Sequence, residues 1–309
     1  MDTNTSKKFN RGKRDRRNFA LLVAPAVIIF LLVIAIPFFL GVYYSFTDWG
    51  GITQTETNFV WFENYIQSFK DTRFQYSLMI TILFAIINVI VINFVSFGLA
   101  LLVSSNIKGR NLYRAGFFIP NLIGGLVLGY VWQFIFNQVF PQMGELIGSE
   151  WLMTNLFLGK PNLAMSALVM TNTWQYSGYI MMIYFAGIQS VPDSLHESAQ
   201  LDGANWWHRL IHITIPMVMQ AFTVSLFLTI NNSFKIFDVN VSLTGGGPSI
   251  MWQGQAIKGT EFITMNIYNT ASVENQLARG QARAVILFVI LVIISLTQTT
   301  ITKRREVEM

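Results

Sequence analysis

His208 and His212 stand four residues apart, the spacing at which two imidazoles on one helical turn can grip a divalent metal. No third ligand converges on them from the sequence, so no metal is expected. The chain contains no cysteine, which excludes disulfides, thiolate nucleophiles and Cys-ligated zinc or iron–sulfur centres. It has no Gly-x-x-x-x-Gly-Lys-Ser/Thr loop to cradle nucleotide phosphates, and no Ser/His/Asp or paired-carboxylate arrangement that suggests catalysis. What remains is neutral hydrogen-bonding chemistry in apolar surroundings. Asn172, Gln175, Tyr176 and Tyr179 are spaced to share one helical face, and Ser225, Thr229, Asn232 and Ser233 share another. Hydroxyls, amides and aromatic faces suit a neutral, hydroxyl-rich solute. The same groups also suit bonding one helix to the next, a common use of Ser, Thr and Asn in lipid. Lys235, close to Asp238, could meet an anionic solute, snorkel to an interface, or pair with Asp238.

The elements that must position these residues are written in the composition. Of 309 residues, 52% are hydrophobic and 12% charged, about half the charged fraction of an average soluble domain. Six apolar segments can be marked: Phe19–Tyr43, Tyr76–Val103, Ala115–Val139, Asn162–Ile188, Met217–Phe237 and Ala282–Thr300. Each approaches or exceeds the length needed to cross a hydrocarbon layer of about 30 Å. Backbone groups in lipid must be paired within a segment, and none shows barrel-like alternation, so each is predicted to be a helix. Pro25, Pro37 and Pro120 mark plausible bends. The first segment is too long for a signal-peptide core and lacks a clear cleavage site, so it reads as a retained helix.

Basic residues set the orientation. Lys7, Lys8, Arg11, Lys13, Arg14, Arg16 and Arg17 precede the first segment, and with Lys108, Arg110, Arg114, Arg209, Lys303, Arg304 and Arg305 they place 14 of the 21 Lys and Arg on one side. By the positive-inside rule both termini are cytoplasmic. The clusters flank apolar blocks rather than line one face, so the net charge of +5 points to membrane lipid and not to nucleic acid. The expected architecture is all-α and polytopic: a basic tail over residues 1–18, a six-helix transmembrane domain over 19–300, and a short tail over 301–309.

The segment between the fourth and fifth spans, residues 190–216, is too structured for a connector. Pro192 and Asp193 suit a helix start, Gly203 can take the left-handed conformation that ends one helix and redirects the chain, and Trp206, Trp207, Leu210 and Ile211 follow at helical spacing before Pro216. This predicts a helix–turn–helix against the membrane. From periodicity alone, a knob for docking and a hairpin that merely braces the bundle are equally good readings.

Glu197-Ser198-Ala199, Asp202-Gly203-Ala204 and Ile213-Thr214-Ile215-Pro216 resemble the "EAA" loop of ABC import permeases, whose pattern is Glu-Ala-Ala, Asp-Gly-Ala and Ile-x-Leu-Pro; Ser198 and Ile215 depart mildly. Leu243-Thr244-Gly245-Gly246-Gly247-Pro248 resembles a turn of the maltose-type, carbohydrate-uptake branch of that family, as do Phe59–Tyr65 and Gly109–Pro120 more weakly. The resemblance covers the whole membrane body. It implies the type I importer fold in a bacterial cytoplasmic membrane, with Glu197, Ser198, Ala199, Asp202, Gly203, Ala204 and Pro216 in the loop that couples to a separate ATPase. Further implied are two copies of that ATPase carrying Mg-ATP, a second homologous permease forming a heterodimer, an extracytoplasmic solute-binding protein, and no cofactor in this chain. It also implies a sugar solute, a di- or oligosaccharide, contacted from the fourth and fifth spans: Asn172, Tyr176, Tyr179, Thr229, Asn232 and Ser233. Competing expectations are an importer of an acidic sugar, a glycerol phosphate ester or an amino acid, and an ion-coupled secondary transporter. The last would need functional acids near mid-membrane, which the segments lack.

Overall fold

The computed structural model describes residues 18–304 and 306, apart from 52, 53, 55 and 106. The basic cluster before Phe19 and Arg305 lie outside the described residues. Helix α1 is Asn18–Tyr44, and α2 is Thr72–Ser104. α2 begins on Asp71, whose carboxylate accepts from the Arg73 amide at 2.8 Å, the N-cap that a helix start requires. With 33 residues it is about 50 Å long, more than a bilayer core. α1 is apolar on all sides and exposed within this chain, as a lipid-facing helix is.

The expected single helix over Ala115–Val139 is two. α3 (Arg110–Leu122) and α4 (Gly125–Ile147) meet at 101°. Pro120 offers no N–H to the ladder, the chain closes in a 3₁₀ turn over Ile119–Leu122, and Ile123 and Gly124 are extended. α5 (Pro161–Gln189) runs unbroken along α2. The helix expected over Met217–Phe237 is displaced and bent: α6 (Asp193–Leu201) leads to α7 (Trp206–Met217), which meets α8 (Met219–Phe234) at 69° across Val218. The loop unit therefore ends two residues beyond Pro216. A short α9 (Asp238–Leu243) packs on α4, and α10 (Leu277–Lys303) is longer at both ends than expected. Among the described residues, α1, α2 and α10 are long and apolar enough to cross a membrane, and five spans result if each bent pair counts as one.

Three prolines leave a common signature. π-helical turns at Leu31–Ala35, Ile135–Val139 and Leu210–Thr214 each end two residues before a proline: Pro37, Pro141 and Pro216. In each, the residue before the proline bonds five residues back, to Leu31, Ile135 and Leu210 respectively. Widening the ladder there relieves the clash that a proline ring makes with a carbonyl four residues behind.

Among the described residues the expectation of an all-α chain fails after the glycine turn, besides an isolated bridge between Thr47 and Phe59. The glycine turn runs into an antiparallel hairpin of β1 (Ser249–Trp252) and β2 (Gln255–Lys258), closed by Gln253 and Gly254 at φ +46° and +78°. Positive φ at both central residues is the two-residue turn whose twist matches a hairpin.

Apolar packing falls in three clusters. Phe84, Leu168 and Phe262 anchor one, Ile92, Met181 and Tyr184 a second, and Phe74, Phe234 and Ile286 a third. Beside the third lies a buried cation, Arg283, at the start of the segment expected over Ala282–Thr300. Arg283 has a side chain 1% exposed. It donates to Asn266 at 2.7 Å, to Thr270 at 2.6 Å and to Asp71. Arg73 continues the belt to Glu261 at 3.1 Å and Glu274 at 2.5 Å. Burial works against ionisation of Asp71, but the hydrogen bond and charge of Arg283, with the Arg73 and Phe74 amides, outweigh it and lower the carboxyl below its ordinary 3.8. This stabilisation is complete above that ordinary value and is lost as pH falls through the lowered one, so it is constant around neutrality. Arg283→Ala removes the counter-charge of part-exposed Asp71 and the donor to buried Asn266 and Thr270, and is expected to cost about 2–3 kcal/mol. A lowered thermal midpoint in detergent checks this; an unchanged midpoint refutes it.

Candidate functional site: a polar cavity and a cytoplasmic knob

The knob is made by turn chemistry that accounts for the motif spacing. α6 ends with Gly203 at φ +79°. Its N–H bonds the Gln200 carbonyl at 3.1 Å, and the Ala204 N–H reaches back to Ala199 at 2.9 Å. This pair of bonds is the Schellman ending, in which the left-handed residue favours glycine. Ala199, Gly203 and Ala204 thus build the turn. Asn205 then caps α7, accepting from the His208 amide at 2.8 Å. The base of the unit is fixed by buried Val191, Leu210, Thr214 and Val218. Its tip is open: Glu197, Ser198 and Asp202 are exposed, and Leu201 is 89% exposed. His208 and His212 stack at 4.1 Å, and among the described residues no cluster of three or more metal-ligating groups includes them.

The residues expected to face a solute divide into two sets. Asn172, Tyr176 and Asn232 line a polar cavity of about 420 Å³ between α5, α8 and α9, together with Gln175, Lys235 and Asp238. Tyr179 belongs elsewhere, on an apolar groove with Arg114, Phe118 and Met182. Thr229 and Ser233 are 0% exposed and bond between and along helices. Thr229 accepts from Asn93 at 3.0 Å and donates to the Ser225 carbonyl at 2.8 Å, while Ser233 accepts from Asn88 at 2.8 Å. Lys235 and Asp238 do not pair: among the described residues the ion pairs are those of Arg73 and Arg283. Gln175 donates to the carbonyl of Ile123, the residue at the α3–α4 break, at 3.0 Å. One wall of the cavity is therefore tied to the bent helix.

Sequence reading overlooked the polar residues of α2. Asn88, Asn93 and Ser96 are buried, and the Tyr184 hydroxyl donates to Asn93 at 2.7 Å. The signal was available: Ser77, Thr81, Asn88 and Ser96 recur at helical spacing within an otherwise apolar segment.

The family described as "Binding-protein-dependent transport system inner membrane component" matches residues 94–306, which contain the knob and the whole cavity lining. The chain belongs to this family. It is a membrane-embedded permease subunit of an ABC importer, and ATP is hydrolysed on a separate subunit. It is 43% identical over 289 residues to a protein of Thermoanaerobacterium thermosulfurigenes named "Probable starch degradation products transport system permease protein", covering 94% of this chain and 95% of that one. It is 29% identical over 292 residues to the "Multiple sugar-binding transport system permease protein" of Streptococcus mutans, covering 94% and 96%. Among solved structures, a bacterial alginate ABC transporter in complex with alginate pentasaccharide-bound periplasmic protein shares the fold at a TM-score of 0.78, with 21% identity and coverage of 96% of this chain and 97% of that one. The importer permease fold is thereby shown.

Proposed function

We propose that this permease forms half of the translocation path for a di- or oligosaccharide across a bacterial cytoplasmic membrane. In this reading α5 is the sixth span. Its polar face would exclude it from a purely apolar tally while suiting a pathway, and both termini then lie in the cytoplasm, bounding a permease domain over 19–300. The permease pairs with a second, similar permease, and two copies of a cytoplasmic ATPase carry Mg-ATP. The knob over 190–216 takes up their movement, with Glu197, Ser198, Asp202 and Leu201 at its tip and Ala199, Gly203, Ala204 and Pro216 holding its shape. An extracytoplasmic binding protein delivers the solute. The supports for a saccharide are the names of the relatives and a cavity lined by amides and Tyr176.

The observation that carries the proposal is the juxtaposition of that cavity with a rigidly built, exposed knob whose second helix continues through one 69° bend into α8, which forms a cavity wall. Movement imposed on the knob reaches the cavity through α7 and α8. The test is uptake of radiolabelled maltotriose by proteoliposomes holding the permeases, ATPase and binding protein. Accumulation should require ATP and survive an ionophore; uptake indifferent to ATP, or abolished by the ionophore at constant ATP, overturns the proposal.

A further inference from the structure

The cavity has a polarity fixed from behind. Asn88 on α2 is fully buried, and its amino group donates to Asn172 Oδ1 and to Ser233 Oγ, each at 2.8 Å. The orientation of a carboxamide follows from what its neighbours can accept or donate. Ser233 has one hydroxyl proton, and it goes to the Thr229 carbonyl at 2.7 Å. Toward Asn88 it can therefore only accept. Asn88 then turns its amino group to Ser233 and the second N–H of that group to Asn172, while its own Oδ1 is buried without a hydrogen-bond partner among the described residues. Asn172 in turn must present its carbonyl oxygen to Asn88. Its own amino group is left without a protein acceptor among the described residues, and Asn172, though only 2% exposed, reaches the cavity wall.

We propose that Asn88 is a positioning residue that sets Asn172 as a donor of hydrogen bonds to the solute. The solute atom read there is an acceptor oxygen: a hydroxyl, ring, glycosidic or carboxylate oxygen. The inference rests on the cavity being the solute path, and it adds a direction to that path's chemistry. Without Asn88 the Asn172 amide is free to rotate, so its donor is no longer held ready and part of the binding free energy goes into orienting it. The effect belongs to α2, which contributes no residue to the cavity wall.

The test is a double-mutant cycle on maltotriose uptake in the reconstituted complex. Asn172→Ala and Asn88→Ala are each expected to raise KM roughly tenfold with little change in the maximal rate, the size of one lost hydrogen bond of about 1.4 kcal/mol. The double variant should be no worse than Asn172→Ala alone, because Asn88 acts through Asn172. Asn88→Val, closer to Asn in volume, decides the matter should the alanine variant fail to accumulate in the membrane. Additive effects, or a lowered maximal rate with KM unchanged, overturn the role of Asn88 while leaving the cavity as the path. Normal KM in Asn172→Ala overturns both.

Discussion

Leu201→Asp leaves the permease at its normal abundance in the membrane and cuts ATP-driven uptake at least about tenfold, the loss expected when an anchor residue of an interface is removed. Leu201 is the residue chosen because it stands 89% exposed at the end of α6, between Glu197-Ser198-Ala199 and Asp202-Gly203-Ala204 of the proposed coupling loop. It is the last residue of α6, and the Schellman ending after it holds it at the apex rather than letting it fold back on the bundle. A large apolar side chain held out at a rigid tip, flanked by Glu197, Ser198 and Asp202, has little to do within this chain. Substituting it disturbs no internal packing, so folding is spared while the proposed contact with the ATPase is lost. The readout is the ratio of solute moved to ATP hydrolysed. Gly203→Asp acts on the same unit more gently: a Cβ there meets nothing within 4 Å, so its cost is the backbone conformation at φ +79° alone, and Asp tolerates that region better than most residues. Gly203→Val is the stronger change, because a β-branched side chain does not tolerate it.

Gly178→Leu abolishes the assembled permease. Gly178 lies on α5 where the α3 backbone crosses it, and a Cβ at this position would overlap the Phe117 carbonyl and press on the Phe118 nitrogen. Neither neighbour is a flexible side chain that could swing away. The crossing is set by the break at Pro120, which turns α3 onto α5 just before the 101° bend, and the Ser96 hydroxyl bonds the Ser177 carbonyl next door at 2.9 Å. Separating the helices at this point also pulls Ile123 from Gln175 and so opens the cavity wall. Overpacking a side-chain core costs about 1–3 kcal/mol; here the contact is backbone, and the expected result is loss of protein from the membrane. Normal abundance and uptake in this variant would refute the crossing.

Membrane segments were legible because their determinants are local: long apolar stretches, paired backbones and basic flanks. The knob was legible for the same reason, since Pro192, Asp193 and Gly203 act on the chain within a turn or two. What escaped depends on distance. Whether Asn172 and Ser233 face a cavity or each other is decided by Asn88, 84 and 145 residues away. Thr229 and Ser233 share a helical face with Asn232, yet α2 covers the first two and leaves Asn232 on the cavity. The burial of Arg283 escaped because nothing near it in sequence announces Asp71. Breaks within apolar segments were half legible: Pro120 gave the place of a bend, while its angle came from packing against α5. The hairpin after Pro248 was missed because a two-residue turn formed by Gln253 and Gly254 carries little signal inside a chain read as helical throughout.

The central claim, that water and solute reach the space between α5 and α8, can be tested by exploiting a chain that has no cysteine. Single substitutions Tyr176→Cys, Asn232→Cys, Thr229→Cys and Ser233→Cys are made in the reconstituted complex and treated with a membrane-impermeant methanethiosulfonate while ATP drives turnover. The first two should react and be protected by maltotriose, and the last two should not react. Equal labelling at all four positions, or no protection by solute at Tyr176→Cys and Asn232→Cys, would contradict the account.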